Sequence, residues 1–309
     1  MASSQWQASA GTFDQNLGLC DAGCTSGGSR GLNCCCPACT EDSTRLGERF
    51  YLFAGLDGAK QPQDFGVNAT MGGRFAANLG IPISQPLGLG AQIGTAINYA
   101  DNAVQVFERI EGTSERFQNY TTVGLFQRSP SGIRWGATYD FLWQDYFDDF
   151  YLGQWRGLLG YAVSPCDEFG TWFTISDQSD HGTFGAIPVH LDPITQGNFY
   201  WRHIWASSAE TWIWLGVAEG HGEVNVALGD LEPVDECLTF GAEIHAPLND
   251  RLAIYGQSNF ITPVDTGTVD AFLGIVFYPG GGAKQGRRRP FMPLLPVASN
   301  TTFAVDLAR

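Results

Sequence analysis

The sequence has no run of about 18 apolar residues, the length that a membrane-spanning helix needs, so a transmembrane helix is excluded. It is also poor in charge, because charged residues fill 16% of its 309 positions against about 25% in ordinary soluble proteins. Cations are the scarcer sign: 17 Lys and Arg stand against 32 Asp and Glu, which gives a net charge of −15. Such a chain would repel a phosphate backbone, so we expect no nucleic acid as a partner.

The most informative feature that the sequence does contain is alternation. From about Arg49 to Tyr278, apolar and polar side chains alternate over stretches of roughly 9 to 16 residues. In the stretch 268–278, one face carries Val269, Ala271, Leu273, Ile275 and Phe277. Period-two patterning is typical of strands that turn one face to an apolar surrounding and the other to polar partners. In 210–218 the pattern is ambiguous, since Trp212 and Trp214 compete with Ile213 and Leu215 for the apolar face.

We predict twelve strands, joined alternately by short turns and longer loops that are rich in turn-forming residues. An even number of long strands with this connectivity predicts an all-β fold, an up-and-down antiparallel transmembrane β-barrel of about 12 strands. Barrels of this kind place short turns in the periplasm and long loops outside. The predicted strands are 48–56, 66–81, 87–99, 117–128, 133–144, 151–163, 169–177, 197–206, 210–218, 237–246, 251–261 and 268–278.

We expect three regions: a Cys-rich N-terminal extension in the periplasm (1–47), the transmembrane barrel (48–278) and a C-terminal tail (279–309). The tail breaks the alternation, and it could serve as a plug. Its residues 301–308 alternate again, so they could instead form the closing strand, with 48–56 then outside the barrel. We favour the version in which 48–56 is the first barrel strand. The first residues, 1–15, have neither a basic region nor an apolar region, so we expect the signal peptide that export requires to be missing from this chain.

Several segments resemble an uncharacterised family of planctomycete outer-membrane β-barrel proteins. The resemblance covers about 48–309 and implies a barrel in the bacterial outer membrane, in a Gram-negative envelope. It implies no activity and no catalytic residues. The segments that carry it are QDFGVN (63–68), DNAVQVFER (101–109), TVGLFQ (122–127), LGQWR (152–156), YWRH (200–203) and DTGTVDAFLGIVFYPGG (265–281).

The cysteines are concentrated in the N-terminal extension. In an exported chain, thiols grouped in this way usually form disulfides, and a segment without a core is stabilised by them. Zinc or an iron–sulfur cluster is the alternative, because C-x3-C and C-x2-C spacings are present. The spacing does not decide which cysteines pair or whether a metal binds. The disulfide candidates are Cys20, Cys24, Cys34, Cys35, Cys36, Cys39 and Cys166, the last in a predicted periplasmic turn.

Charged side chains on the polar faces of the strands are predicted to line the lumen. One hairpin would bring Asp140 close to Arg156. These charges either line a hydrated pore and bias solute passage, or form a paired network that fills a narrow barrel. The predicted lumen-lining residues are Arg74, Arg134, Asp140, Arg156, Arg202, Glu243, His245 and Asp270.

Aromatic residues near strand ends are predicted to form the interfacial girdles of a membrane barrel. They include Trp135, Trp143, Trp155, Trp172, Trp201, Trp205 and Trp212. An enzyme is not expected, since neither an H-E-x-x-H nor a G-x-S-x-G motif is present. His203 with Ser207 or Ser208 is the nearest imitation of a barrel-embedded hydrolase, and an interfacial histidine explains His203 better.

The function that these features predict is a porin-like passive channel for small solutes or ions, without a cofactor. The alternative is a structural subunit of the envelope or of a surface assembly, cross-linked or anchored through residues 1–47. Expected partners are outer-membrane lipid and, through residues 1–47, a second copy or another envelope protein.

Overall fold

A computed structural model describes residues 45–64, 69–102, 115–219, 224–225, 229–230, 236–262 and 268–308. Within them the chain is built from strands, with short 3₁₀ turns at Leu46–Arg49, Pro62–Asp64 and Gly286–Arg288. No helix of the described residues is long and apolar enough to cross a membrane. The strands are β1 (Phe50–Lys60), β2 (Thr70–Ser84), β3 (Leu89–Asn102), β4 (Glu115–Arg128), β5 (Ile133–Asp145), β6 (Asp149–Ala162), β7 (Asp167–Gln178), β8 (Asp180–Phe184), β9 (Ile187–Pro193), β10 (Gln196–Ile204), β11 (Glu210–Glu219), β12 (Val224–Asn225), β13 (Gly229–Asp230), β14 (Glu236–Pro247), β15 (Leu252–Ile261), β16 (Thr268–Phe277) and β17 (Val305–Ala308).

Twelve of these strands close into one antiparallel barrel, which confirms the predicted fold. The strand order around the barrel is β1-β16-β15-β14-β11-β10-β7-β6-β5-β4-β3-β2. β1 and β16 close it, with Leu52 opposite Phe277 and Lys60 opposite Val269. The alternative in which residues 301–308 close the barrel is therefore wrong. β17 pairs instead with β9, in a separate three-stranded sheet with β8.

The alternation in the sequence corresponds to the two faces of the barrel wall. In β3, Gln92 and Asn98 point inward and are buried, whereas Ile93 and Ile97 point outward and are exposed. The ambiguous strand β11 is resolved in the same way, since Trp212 and Trp214 are buried and Ile213 and Leu215 are exposed. Every described barrel strand thus contributes an apolar outer face.

The two ends of the barrel differ. At the end that we call the turn end, consecutive strands are joined by 85–88, 129–132, 163–166, 205–209 and 248–251. At the opposite end, the loop end, the connections include 103–114, 179–195 and 220–235. The 179–195 connection is not a simple loop, because it contains the β8–β9 hairpin. β1 starts and β16 finishes at the turn end.

The chain after β16 turns into the barrel. Residues 286–304, which we call the luminal segment, run from the turn end towards the loop end, where β17 joins the β8–β9 hairpin. Most of this segment is buried, and its side chains are central members of the apolar clusters inside the wall. These include Met292, Leu294, Leu295, Val297, Ala298 and Phe303. The core of the molecule is therefore the inside of the barrel, filled by the chain itself.

Candidate functional site: the occupied lumen

The composition of the luminal segment explains how a stretch without regular structure can be buried. A buried backbone must satisfy its N–H and C=O groups, and this segment has no neighbouring strand over most of its length. Pro290, Pro293 and Pro296 each remove one N–H group that would need a partner. The carbonyl groups that remain are served by side chains of the wall. The backbone of the occupant is thus matched by polar side chains of the wall.

At the turn end, the wall carries a buried network of charges. Arg202 lies between two carboxylates, 2.9 Å from Glu168 and 2.6 Å from Glu210. Arg134 reaches the same Glu168 at 2.7 Å, and the Tyr200 hydroxyl donates a hydrogen bond to it at 2.7 Å. Because the members are almost all buried and each has a partner of opposite charge, the network fixes these side chains in one arrangement.

The luminal segment joins this network through its arginines. Arg287 forms an ion pair with Glu243, and Arg288 lies 2.9 Å from Glu210. The guanidinium groups of Arg287 and Arg202 both lie over the Trp212 ring, 5.2 and 5.4 Å from its centre. At the turn end, ion pairs therefore attach the segment to the wall.

In the middle of the barrel, a second charge pair holds the backbone of the segment. Arg156 and Asp140 form a buried ion pair with N–O distances of 2.9 and 3.0 Å. Arg156 also donates to the Pro296 carbonyl at 2.7 Å. Arg74 donates to the Val297 and Ala298 carbonyls at 3.3 and 2.9 Å. Both arginines therefore act as clamps on the occupant instead of lining open water.

Towards the loop end, Asn300 is the polar centre of the packing. Its side chain donates to Asp57 at 2.6 Å and accepts from the Tyr120 hydroxyl at 2.9 Å and from Gln118 at 3.1 Å. Nearby, Gln61 donates to Asp270 at 3.0 Å and to the Asn300 and Phe303 carbonyls. These bonds connect the segment directly to β1 and β4 and, through Gln61, to β16.

A buried ion pair between a 3₁₀ turn and β4 supports this layer. Asp64, in the 3₁₀ turn after β1, lies 3.0 Å from the Arg116 guanidinium, and both side chains are fully buried. Burial raises the pKa of Asp64, and the charge of Arg116 opposes that rise. Arg116 donates as well to the Thr70 hydroxyl at 2.7 Å. The pair thereby ties the first loop-end connection to the wall.

The structure places all eight predicted lumen-lining residues on the inner face. It brings Asp140 and Arg156 together, joins Arg134 and Arg202 through Glu168, and pairs Glu243 with the luminal segment. His245 Nε2 lies 2.8 Å from the Tyr278 hydroxyl.

Sequence reasoning missed several members of the site: Asp57, Gln61, Asp64, Glu168, Glu210 and Asn300. Asp57 and Glu168 each lie an even number of residues from inward-pointing side chains of their own strand, so the alternation could have placed them inside the barrel. Glu210 was hidden by the ambiguity of β11, and Asn300 lies outside any alternating stretch.

Two of the predicted girdle residues were wrong. Trp172 and Trp212 are buried inside the barrel, where Trp172 meets Trp214 edge-on and Trp212 stacks on Tyr200. Trp155, Trp201 and Trp205 are exposed on the outer face. Trp201 and Trp205 lie near the turn end, where a girdle would be, whereas Trp155 lies in the middle of β6. Inward tryptophans fill space that would otherwise belong to the lumen.

The remaining candidates from the sequence lie apart from the lumen. Cys166 is half-buried in a turn at the turn end, and the other six disulfide candidates fall outside the described residues. His203 Nδ1 lies 2.8 Å from Asp167, whereas the Ser207 hydroxyl accepts a hydrogen bond from the Ala209 N–H. Among the described residues, no group of three or more His, Cys, Asp or Glu is placed to hold a metal ion.

A closed antiparallel barrel with an apolar outer face and a polar, occupied interior is the fold of outer-membrane β-barrel proteins. The chain belongs to the family of unknown function DUF6666, which matches residues 49–305. The match therefore includes the luminal segment as well as the wall. No curated protein matches the chain.

The chain is similar to solved outer-membrane barrels at low sequence identity. An outer membrane channel from Pseudomonas putida F1 is 11% identical with a TM-score of 0.51, over 74% of this chain and 94% of that one. The toluene transporter TbuX of Ralstonia pickettii is 11% identical with a TM-score of 0.41, over 75% and 91%. The outer membrane phospholipase of Salmonella typhi, solved as a dimer with bound calcium, is 9% identical with a TM-score of 0.40, over 77% and 94%.

Proposed function

We propose that this protein is an outer-membrane channel that is closed at rest by its own luminal segment. The observation that carries the proposal is the burial of residues 286–304 inside a closed wall whose inner face is polar. The porin-like passage of small solutes or ions predicted from the sequence then needs the segment to move. In this proposal the barrel wall encloses the path of the solute, and the luminal segment blocks that path until it moves.

The outer face supports a place in the outer membrane. Its exposed band is apolar and includes Leu56, Phe75, Ile93, Val123, Leu125, Ile213, Leu215 and Leu273. Trp135 and Trp143 lie near opposite ends of β5, about 20 Å apart along the barrel axis for a strand tilted by about 40°. That separation fits the apolar band of an outer-membrane barrel, about 25 Å tall. With turns on the periplasmic side, the loop end and β17 face outwards.

An arginine on this band tests the membrane assignment. Val123 lies in the middle of β4 and is 42% exposed, whereas Ile133 begins β5 at the turn end and is 44% exposed. We expect Val123→Arg to lower the free energy of unfolding in lipid vesicles by about 2–4 kcal/mol, and Ile133→Arg by about 0–1 kcal/mol, because the cost depends on depth. Equal, small effects of both variants in vesicles would speak against a buried band.

The closed channel is tested by releasing the luminal segment from a chain that has already folded. Lys284 is exposed at the turn end, so a specific protease site inserted after it can be cut in the folded protein. The cut fragment is washed out with denaturant below the unfolding midpoint of the barrel, and its loss is verified by mass. Persistence of the fold is checked by the different gel mobilities of heated and unheated samples.

In planar bilayers we expect the uncut protein to be silent and the washed protein to give stepwise currents. Currents of equal size before and after release would overturn closure by the segment. Silence of a folded, washed barrel would overturn the channel. That second result would favour the alternative, a structural subunit of the envelope or of a surface assembly, which a tightly packed lumen also suits.

Other expectations from the sequence stay predictions. They are disulfides or a metal in residues 1–47, self-association or an envelope partner through that region, contact with outer-membrane lipid, the absence of enzymatic activity, and a planctomycete source. The loss of larger assemblies under reducing conditions would support association through the cysteines.

A further inference from the structure

The wall recognises the luminal segment mainly through its backbone. Gln92 makes a reciprocal contact: its side-chain N–H donates to the Leu295 carbonyl at 2.9 Å, and its Oε1 accepts from the Leu294 and Leu295 N–H groups. Gln61 repeats the arrangement near the loop end, donating to the Phe303 carbonyl and accepting from the Val305 N–H. An amide side chain that both donates and accepts imitates the edge of a neighbouring strand.

Between these two glutamines, further side chains of the wall continue the same pattern. Asn78 donates to the Leu295 carbonyl at 3.1 Å, and Gln154 donates to the Thr302 carbonyl at 2.8 Å. The Thr122 hydroxyl accepts from the Ala298 N–H at 3.0 Å. Together with Arg74 and Arg156, these side chains provide hydrogen-bond partners for main-chain atoms along most of the luminal segment. Such contacts do not depend on the side chains of the occupant.

We propose that the lumen is a binding site for extended, proline-containing polypeptide, with the luminal segment as its resident occupant. The polar wall is rich in donors, as the carbonyl groups of an extended chain require. Prolines suit such a site because they leave few N–H groups to satisfy inside it. The proposal rests on the closed-channel function, since an external peptide can enter only after the segment leaves.

The test uses the full chain, folded, cut after Lys284 and washed free of its fragment, in detergent micelles. Three fluorescent synthetic peptides are compared by anisotropy. The first has the sequence of residues 286–305, and the second keeps its prolines, its arginines and Asn300 in place but shuffles the other residues, so that the side-chain ion pairs and the Asn300 contacts are retained. The third is the second with its three prolines replaced by alanine.

We expect the shuffled peptide to bind within about tenfold of the native one, and the proline-free peptide at least about tenfold more weakly, because buried N–H groups are left without partners. Binding of the native peptide alone would overturn the inference, because the lumen would then be specific for its own segment. Equal binding of the shuffled and proline-free peptides would overturn the role of proline. No binding of any peptide to a folded, washed barrel would overturn the site.

Two wall variants separate backbone recognition from side-chain fit. Gln92→Ala should weaken the native and shuffled peptides by a similar factor. Gly136→Ala places a methyl group 2.3 Å from the Leu295 side chain, so it should weaken the native peptide more than the shuffled one. Identical patterns for both variants would contradict recognition of the backbone. Peptide binding is measured by anisotropy and does not depend on the current measurement in bilayers. A washed barrel that binds peptides but conducts no current would therefore refute the channel and leave the peptide site standing.

Discussion

Glu210→Gln is expected to lower the free energy of unfolding of the full chain by about 3–5 kcal/mol, the usual cost of removing one partner from a buried ion pair. Glu210 is 2% exposed and faces Arg202 at 2.6 Å and Arg288 at 2.9 Å. The neutral amide keeps the shape of the carboxylate but leaves two guanidinium groups facing each other with less compensation. The measurement is denaturant unfolding of the barrel in lipid vesicles.

A matched control is available in the same strand. Glu219 ends β11 at the loop end and is exposed, so Glu219→Gln should change the free energy of unfolding by no more than about 0.5 kcal/mol. The double variant Arg288→Met with Glu210→Gln should recover part of the loss, because it also removes the cation whose carboxylate partner is lost, whereas Arg202 keeps Glu168. Losses of similar size for Glu210→Gln and Glu219→Gln would contradict the buried network.

Gly80→Ala is expected to loosen the luminal segment without changing the outer face. A methyl group at this inward position of β2 would lie 1.8 Å from the Phe291 carbonyl oxygen, so the backbone of the segment must shift. Overpacking costs about 1–3 kcal/mol, which corresponds to an increase of about 5- to 150-fold in the open population. Trypsin should then cut at Arg287–Arg289 at least about fivefold faster, as measured by mass spectrometry.

Gly73→Ala is the control, because Gly73 lies on the outward face of the same strand and its nearest neighbour would be the Phe75 ring at 3.9 Å. This variant should be cut at the rate of the unchanged protein. Cleavage of both alanine variants at the rate of the unchanged protein would show that the segment does not pack against β2 as described. Faster cleavage in both would indicate a general loss of stability and not a local clash.

The barrel wall was predictable because its physical signal is local. In β16 or β5, successive side chains face the outside and the inside of the barrel in turn, so apolar and polar residues alternate. This pattern can be read from one strand alone, without knowing which strands lie beside it. The same parity placed Arg74, Asp140 and Arg156 on the inner face. It failed in β11, where tryptophans occur on the face that packs inside the barrel. Large aromatic side chains satisfy either face, so their position depends on what fills the interior.

The occupied lumen was less predictable. Its residues carry no period, and their partners lie far away in the chain, as with Asn300 and Asp57 or Arg287 and Glu243. A pattern without alternation is compatible with a plug, a closing strand or a solvated tail. The prolines at 290, 293 and 296 exclude a regular strand there, but they do not say where the segment lies. Only the wall, once folded, provides the donors that make burial favourable.

The path of the luminal segment is tested most directly by a disulfide at its far end. Asp306 of β17 lies opposite Asp192 of β9, and directly opposed antiparallel residues have Cα atoms about 4.5–5.5 Å apart, within reach of a disulfide. In Asp192→Cys with Asp306→Cys, we predict that oxidation keeps the fragment cut after Lys284 attached on a denaturing, non-reducing gel. Asp180→Cys with Asp306→Cys should not trap it, because β8 lies two strands away from β17. A fragment that is lost from the first pair would contradict a segment threaded through the barrel to its loop end.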